Sequence, residues 1–476
     1  MVISGDRELH SVGEAIFAVL ARVHHEILLF AVVGLAIGGI DDFIIDMVFL
    51  CRRLWRKLII YSRHRRMTTA TLPVSPRPGR IAIFIPAWQE ADVIGPMLDN
   101  ALGQWGDQDY RIFVGVYPND RATLDILAPL AAGNDRLILC INERDGPTTK
   151  ADCLNVAWRA MLREEERTGV RFKAIALHDA EDVVHRDEIL LFDLMTDRFQ
   201  LVQLPVLPLR GHGGWWSRAI ANHYCDEFSE SHGKFLTVRE AMGASMPSAG
   251  VACAFERQIL ERLVNPATGG PFDPESLTED YEVGLRIGNM GGRGIFVRMR
   301  DRDGQLVATK EYFPDNLKGA VRQKARWMVG ISLAGWDRMG WHGGPAEWWM
   351  RMRDRTAALS AFILFTAYLA LLLWGVLLVG SLFTAFPVPN PTPTVEALLW
   401  INFGFMIWRM AMRAIFAGLA YGWAFGLGAI PRTLIANIIA MMAARRAVFL
   451  YLRSLVGRPL TWDKTQHRFP DLDSPA

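Results

Sequence analysis

Four clusters of chemically capable side chains follow one another through the middle of the chain. They are Lys150-Ala151-Asp152, Asp179-Ala180-Glu181-Asp182, Thr278-Glu279-Asp280 and Gln323-Lys324-Ala325-Arg326-Trp327. Asp179 and Glu181, one residue apart, are hard oxygen donors of the kind that hold Mg2+ or Mn2+ and share it with substrate phosphates. Such an ion offsets charge building on a departing diphosphate. Asp280, among apolar and acidic neighbours, is placed to have its pKa raised toward that of a general base. Gln323, Arg326 and Trp327 stand at i, i+3 and i+4 and share one helix face. Arg326 can pair with diphosphate, and Trp327 offers a flat surface to a sugar ring. Lys150 opens a helix, where its ammonium and the free backbone N–H groups can face phosphate. Asp120 ends another strand and can hold a base or ribose through charge-assisted hydrogen bonds.

Each cluster also has a plainer account. Asp152 is a first-turn acid favoured by the helix dipole, and Thr278 is an N-cap followed by acids. Pro118-Asn119-Asp120 reads as a turn, and Asp179 to Asp182 as a solvated acidic turn. On a basic amphipathic helix near a membrane, Arg326 can simply snorkel. The order of the four decides between the accounts. In sequence they supply a nucleotide grip, a metal site, a base and a phosphate clamp, which together move a sugar from a nucleotide to an acceptor.

The elements that must position these groups alternate. Ile81–Pro86 and residues 111–117, 136–141, 173–177 and 200–206 read as short buried strands. Residues 91–104, 122–131 and 151–166 read as helices between the first four. That alternation predicts an α/β, doubly wound, mostly parallel sheet, with the ligand at the C-terminal strand ends. No GxGxxG follows the first strand, so a dinucleotide-binding domain is disfavoured. A more helical, aromatic half follows from about residue 211.

Membrane segments flank this stretch. Residues 27–50 are long enough to span a bilayer, which takes about 20 helical residues. Nine Lys/Arg and no Asp/Glu lie between Cys51 and Arg80, which places the following domain in the cytoplasm and residues 1–26 outside. The expected organisation is thus an external segment 1–26, a span 27–50, a basic linker 51–79, a soluble domain 80–355 and spans 356–386 and 396–417. Residues 421–455, carrying Arg445, Arg446 and Arg453, read as interfacial amphipathic helices broken at Pro431, ahead of a cytoplasmic tail 456–476. Asp42 and Asp46, and likewise Arg409 and Arg413, share i, i+4 spacing at similar depth, so Asp42 is expected to face Arg409 and Asp46 to face Arg413.

Lys+Arg number 52 against 50 for Asp+Glu, a balance that gives no general attraction to nucleic acid. Sixteen Trp and 25 Phe, with 51% apolar residues, suit lipid contact. The five cysteines lack CxxC spacing and read as buried thiols. Asp6, Glu8 and Glu14 argue against a cleaved signal peptide.

Ile85-Pro86-Ala87-Trp88-Gln89-Glu90, the Asp120 turn, Asp179-Ala180-Glu181, Thr278-Glu279-Asp280 and Gln323-x-x-Arg326-Trp327 together resemble the membrane-bound family 2 glycosyltransferases, which include cellulose and hyaluronan synthases. Gly39-Ile40-Asp41-Asp42, residues 224–240, Pro247-Ser248-Ala249-Gly250, Pro431-Arg432 and Trp462-Asp463-Lys464-Thr465-x-His467 are similar to the bacteriophage-adsorption protein B branch. The resemblance covers nearly the whole chain. It implies a GT-A fold, a UDP-sugar donor, Mg2+ or Mn2+, and inversion at the anomeric carbon. It further implies Asp280 as base, Asp179 and Glu181 as metal ligands, and Glu90, Asp120, Lys150, Asp152, Glu279, Gln323, Arg326 and Trp327 around the donor and acceptor. Glu181 stands where Asp is more usual. The implied protein is a multi-pass bacterial inner-membrane enzyme that extends an envelope or secreted polysaccharide, with an outer-membrane partner and a place in a phage receptor system. A single-addition enzyme on a lipid-linked acceptor is the first rival. An inactive membrane receptor or scaffold is the second, disfavoured by the intact base, metal and clamp residues.

Overall fold

The computed structural model describes residues 2–383, 387–388, 390–457 and 468–470; the 462–467 motif lies outside them. The chain opens with helix α1 (Val2–Trp55). The soluble part then alternates β1 (Ile81–Pro86), α2 (Ile94–Trp105), β2 (Tyr110–Val116), α3 (Arg121–Gly133), β3 (Leu137–Ile141), α4 (Lys150–Thr168) and β4 (Ala174–Leu177). All six residues of β1 are buried, as expected of a parallel strand covered on both faces. Its alternation divides them between two layers. Ile81, Ile83 and Ile85 pack with α2 residues such as Met97 and Leu98, whereas Ala82 and Phe84 pack with Leu154 and Met161 of α4. Helix α4 is bounded as its sequence dictates: Thr149 and Asp152 form a capping box, and Gly169 closes the other end in a left-handed conformation.

Beyond β4 the pattern changes. Helix α5 (Glu188–Met195) leads to β5 (Leu201–Gln203) and β6 (Val206–Pro208), then α6 (Trp215–Glu230), α7 (Leu236–Ala241), β7 (Cys253–Glu256), α8 (Arg257–Leu263), α9 (Glu279–Asn289), β8 (Gly294–Phe296), β9 (Thr309–Glu311) and α10 (Leu317–Trp327). The main sheet has the order β3-β2-β1-β4-β7-β5-β8. Strands β1 to β4 are mutually parallel, and β7 is antiparallel to both β4 and β5. The single strand expected at 200–206 is two. Pro205 has no N–H for a ladder, and past it β6 leaves the main sheet to pair with β9. Two π-helical turns, Ser231–Phe235 and Met328–Ala334, continue α6 and α10.

Short helices α11 (Gly335–Met339) and α12 (Pro345–Arg355) lead into α13 (Ala357–Phe383), α14 (Pro393–Tyr421) and α15 (Trp423–Leu455). Among the described residues four helical segments are long and apolar enough to cross a membrane: Gly13–Ile60, Ala357–Phe383, Pro393–Tyr421 and Trp423–Leu455. Two expectations need correcting. The first helix begins far ahead of residue 27, and the break expected at Pro431 does not occur. Proline removes one intrahelical hydrogen bond, but neighbouring groups hold α15 together there. Arg432 reaches the Phe425 carbonyl at 2.8 Å, and Thr433 Oγ1 reaches the Ala429 carbonyl at 3.0 Å. Along one side α15 lies on the soluble domain. Ile439 packs with Ile220 and Ala320, Ala443 and Ala447 with Ala325 and Val329, and Arg432 pairs with Asp226 at 2.7 Å.

The charge pairs follow the expectation once and depart from it once. Arg409 meets Asp42 at 3.1 Å. Asp46 instead meets Lys234 at 2.5 Å and the Trp408 indole N–H at 2.8 Å, while Arg413 meets Glu230 at 3.2 Å. Lys234 and Glu230 lie 3.6 Å apart, so the soluble domain supplies a cation and an anion between two partners expected to touch. Of the cysteines, Cys140, Cys153, Cys225 and Cys253 are buried, but Cys51 is exposed on α1, and all five are free.

Candidate active site

The site forms at the C-terminal ends of β1 and β4, where the strand order reverses, the usual place for a ligand in an open α/β sheet. The residue after β4 is His178, which is wholly buried. Its Nδ1 lies 2.8 Å from Asp182 Oδ2 and its Nε2 3.3 Å from Glu188 Oε2. Burial alone would lower its pKa, but the two carboxylates outweigh that and push it to about 10. Asp182 Oδ2 also accepts the backbone N–H of Asp179 at 3.1 Å. Asp182 therefore faces inward and fixes the turn from which Asp179 projects. The anchor extends to β9, since Glu188 Oε1 accepts from Thr309 Oγ1 at 3.0 Å and from the His185 N–H at 2.9 Å.

Asp179 Oδ1 lies 2.6 Å from Lys150 Nζ at the start of α4. Burial pulls the Lys150 ammonium down, yet Asp179, Glu279 and Asp280 hold it above its ordinary value. The base candidate thus joins the nucleotide-side cluster through charge. Asp280 is half-buried and Glu279 buried. Burial raises both carboxyls; Asp280 adds to the rise at Glu279, while Lys150 and Arg326 oppose the shift at each. Lys150, Asp179, Glu279, Asp280 and Arg326 are accordingly brought together from α4, the β4 end, α9 and α10.

Two glycines allow this approach. Gly250 has φ +79°, and a Cβ there would overlap Asp280 Oδ2, so the Pro247-Ser248-Ala249-Gly250 loop lies directly on the candidate base. A Cβ on Gly330 would likewise overlap Thr278 Oγ1, which seats the π-turn after α10 on the start of α9. Thr278 holds the N-cap position, but its hydroxyl makes no capping bond and is buried without a partner. Capping therefore does not explain that motif.

For Asp120 and Asp152 the structural account is realised. Asp120 accepts the Thr123 N–H at 3.4 Å and the Gln89 N–H at 2.5 Å, capping α3 and holding Gln89 at φ +55°. Glu90 is buried beside it, its N–H bonded to Thr123 Oγ1 at 3.0 Å. The Trp88 ring meets Tyr117 edge-on at 5.1 Å. Asp152 closes the α4 capping box and pairs with Arg144 at 3.1 Å. On α10, Gln323 is buried with Oε1 unpartnered. Trp327 packs against Tyr224, Phe228 and Phe313 at 6.2, 6.4 and 6.3 Å between ring centres, so much of its surface is spent on an aromatic cluster.

The sequence reading missed His178, Glu188 and Glu311. Glu311 is the last residue of β9, and burial with the charges of Asp182, Glu181 and Asp179 raises its carboxyl well above the ordinary range. Asp179, Glu181 and Glu311 are hard oxygen donors that repel one another, and this donor chemistry fits Mg2+ or Mn2+. Among the described residues, the three groups whose ligand atoms converge within 4.8 Å are elsewhere: His185, Asp187 and Asp301. Their contacts are already made within the chain. Arg186 reaches Asp301 at 2.9 Å, two backbone N–H groups bond its other oxygen, and Thr69 Oγ1 reaches Asp187 at 2.6 Å.

Comparison with known proteins agrees with this geometry. The family described as glycosyl transferase family group 2 matches residues 174–427. Two curated relatives from Escherichia coli, bacteriophage adsorption protein B and bacteriophage N4 adsorption protein B, are each 37% identical over 459 residues. Those residues are 92% of this chain and 61% of each relative, so the chain spans about three fifths of their length. Among solved structures, a mannosyltransferase from Pyrobaculum calidifontis in complex with GDP-Man and Mn2+ superposes with a TM-score of 0.51 at 17% identity, covering 85% of this chain and 99% of that one. The sheet is thus of the GT-A type, as expected, with apolar helices flanking it.

Proposed function

The chain belongs to glycosyl transferase family group 2, and we propose that it is an inverting enzyme of a bacterial inner membrane that transfers a sugar from a UDP-sugar to a growing envelope or secreted polysaccharide. The observation that carries this reading is the meeting of Asp280 with the Lys150–Asp179 pair under the field of Arg326. A base for the acceptor and cations for the leaving diphosphate face one space. The acceptor hydroxyl gives its proton to an Asp280 carboxylate oxygen while its own oxygen attacks the anomeric carbon from the side opposite the diphosphate. Burial raises the Asp280 carboxyl, which strengthens it as a base. Lys150 and Arg326 stabilise the departing diphosphate. Asp179 and Glu181 would hold Mg2+ or Mn2+, which supplies further positive charge to the same phosphates. Asp120 and Asp152 act on the donor by shaping the turn and helix start that face it.

The same reading places the domain at the cytoplasmic face. The Lys/Arg run after α1 favours that side, and the packing of α15 on the domain through Ile439, Ala443 and Ala447 supports reading it as interfacial, with a fourth span, which its length and apolar character allow, as the alternative. The kinship with phage adsorption proteins supports a role in an envelope receptor system with an outer-membrane partner.

The test is a panel of UDP-sugars and GDP-sugars given to purified full chain with Mg2+ or Mn2+ and cell-envelope acceptor, reading nucleoside diphosphate release. Release from a UDP-sugar is expected. Release from GDP-mannose alone would overturn the donor, and no release from any donor would leave a binding scaffold.

A further inference from the structure

Gln203 ends β5, a strand whose three residues are all buried, and its own side chain is wholly enclosed. An amide in such a place is costly unless its polar atoms find partners. Here they do, and every partner is backbone. Nε2 donates to the carbonyls of Leu204 at 2.9 Å, Val251 at 3.0 Å and Ala252 at 3.2 Å, while Oε1 accepts the Ala249 N–H at 2.9 Å. With Oε1 facing an N–H and Nε2 facing carbonyls, only one orientation of the amide satisfies the set. Three of the four bonds reach one short loop, residues 249–252. A single side chain thus staples that loop to β5.

The loop has a shape that needs holding. Gly250 has φ +79° and Ala252 φ +53°, and an alanine stays in that left-handed region only where its surroundings fix it. Ser248 Oγ accepts the Gly250 N–H at 3.1 Å, and the Leu204 N–H reaches the Ala252 carbonyl at 2.8 Å. On its other side the loop lies on α9, the helix that carries Asp280. A Cβ on Gly284 would overlap the Met246 carbonyl and the Ser248 nitrogen. Asp280 Oδ1 accepts the Tyr281 N–H at 2.7 Å, and Oδ2 is the oxygen that a Cβ on Gly250 would overlap. The loop is therefore wedged between Gln203 and the candidate base, with no slack on the Asp280 side.

We propose that Gln203 is a positioning residue for sugar transfer: through the 249–252 loop its amide sets the place of the Asp280 carboxylate that takes the acceptor proton. This rests on the reading of Asp280 as the base. In this role Gln203 touches no substrate. A hydrocarbon side chain of the same length would fill the space but remove the bonds to Ala249 and Val251, leaving buried backbone groups to seek other partners. The loop would then shift, and Asp280 Oδ2 with it.

The inference is tested by a double-mutant cycle on detergent-solubilised full chain, reading nucleoside diphosphate release from the UDP-sugar that the wild type turns over fastest. Gln203→Met alone should lower kcat by roughly 10²-fold, the cost of misplacing a reacting group by about 1 Å, while the donor KM stays within a few-fold. In an Asp280→Asn background the same change should cost little further, because residues that act as a unit are not additive. A residue that only supports the fold would lower kcat by the same factor in both backgrounds, and that result overturns the proposal. Unchanged kcat in Gln203→Met overturns it as well. Absence of turnover by the wild type, or no effect of Asp280→Asn alone, overturns the reading of the base itself, so the two failures are distinct. If Gln203→Met does not fold, Gln203→Asn serves, since it keeps the amide but withdraws it by one methylene. The same non-additive loss is expected of it, and unchanged kcat overturns the proposal.

Discussion

Two clusters of buried charge lie in this molecule, and they differ in how their charges close. At the membrane side the buried acids are paired within the chain. Asp46 meets Lys234, Glu230 meets Arg413, Glu227 meets Lys324 at 2.6 Å, and Asp226 meets Arg432. Asp42 has both Arg353 and Arg409, and Asp41 takes Arg353 and the Trp349 indole. At the sheet edge Asp179, Glu181, Asp182, Glu279, Asp280 and Glu311 face Lys150, Arg326 and His178, and several of those carboxyls are driven upward. A closed network is an anchor, since its cost was met when the helices docked. An open one retains an excess of negative charge, which a divalent cation can neutralise. The contrast sets a scaffold apart from the proposed reaction site without reference to any motif.

The comparison breaks first at Asp280. Asp280→Asn keeps the size of the side chain and removes the base, so transfer should fall by roughly 10²–10⁴ while donor affinity stays within a few-fold. Near-normal turnover in a diphosphate-release assay would remove Asp280 from its role. On the membrane side, Lys234→Met leaves Asp46 and Glu230 without their shared cation. Breaking such a buried pair costs about 3–5 kcal/mol, to be seen as a lower melting temperature in detergent, with Mn2+ affinity of the folded protein unchanged. A loss of Mn2+ binding would mean that the two clusters are not separate.

A smaller effect concerns pH. The proposed base works only as a carboxylate, so activity is expected above its pKa and lost as pH falls through it. Since burial raises Asp280, the acid limb of the rate profile should lie above the ordinary aspartate range. Lys150 opposes that rise, so Lys150→Met should move the limb to higher pH; a limb that stays put would sever the two residues. The smallest change is expected from Arg409→Gln. The Arg409 side chain is 63% exposed, and Asp42 keeps Arg353 at 2.9 Å, so the loss should be about 1 kcal/mol or less. A melting-temperature drop equal to that of Lys234→Met would show that Arg409 is a principal anchor.

How much of this could be read in the sequence follows from period and length. Strands β1 to β4 are continuous apolar runs separated by helices, so their order and the place of Asp179 at a strand end were legible. Asp280 and Arg326 were legible as parts of ordered motifs. Strand β7 is four residues long and lies far from the strands it separates, and β9 is only three. Neither is long enough to show alternation, so Glu311 carried no local signal. His178 gave one that could have been used: a histidine directly ahead of the acidic turn, four residues before Asp182 in the chain. The Asp46–Lys234 pair was beyond reach because Lys234 sits in a π-helical turn of the soluble domain. Helix α15 passed Pro431 because tertiary contacts compensate a break that local propensity favours.

The central claim is that the open cluster works with a divalent cation and a nucleotide-sugar. The most direct measurement is diphosphate release by the wild-type chain from its preferred UDP-sugar, first in Mn2+, then in excess chelator, then with Mn2+ restored. The account predicts turnover that disappears in chelator and returns with the ion. Full turnover in excess chelator would contradict it.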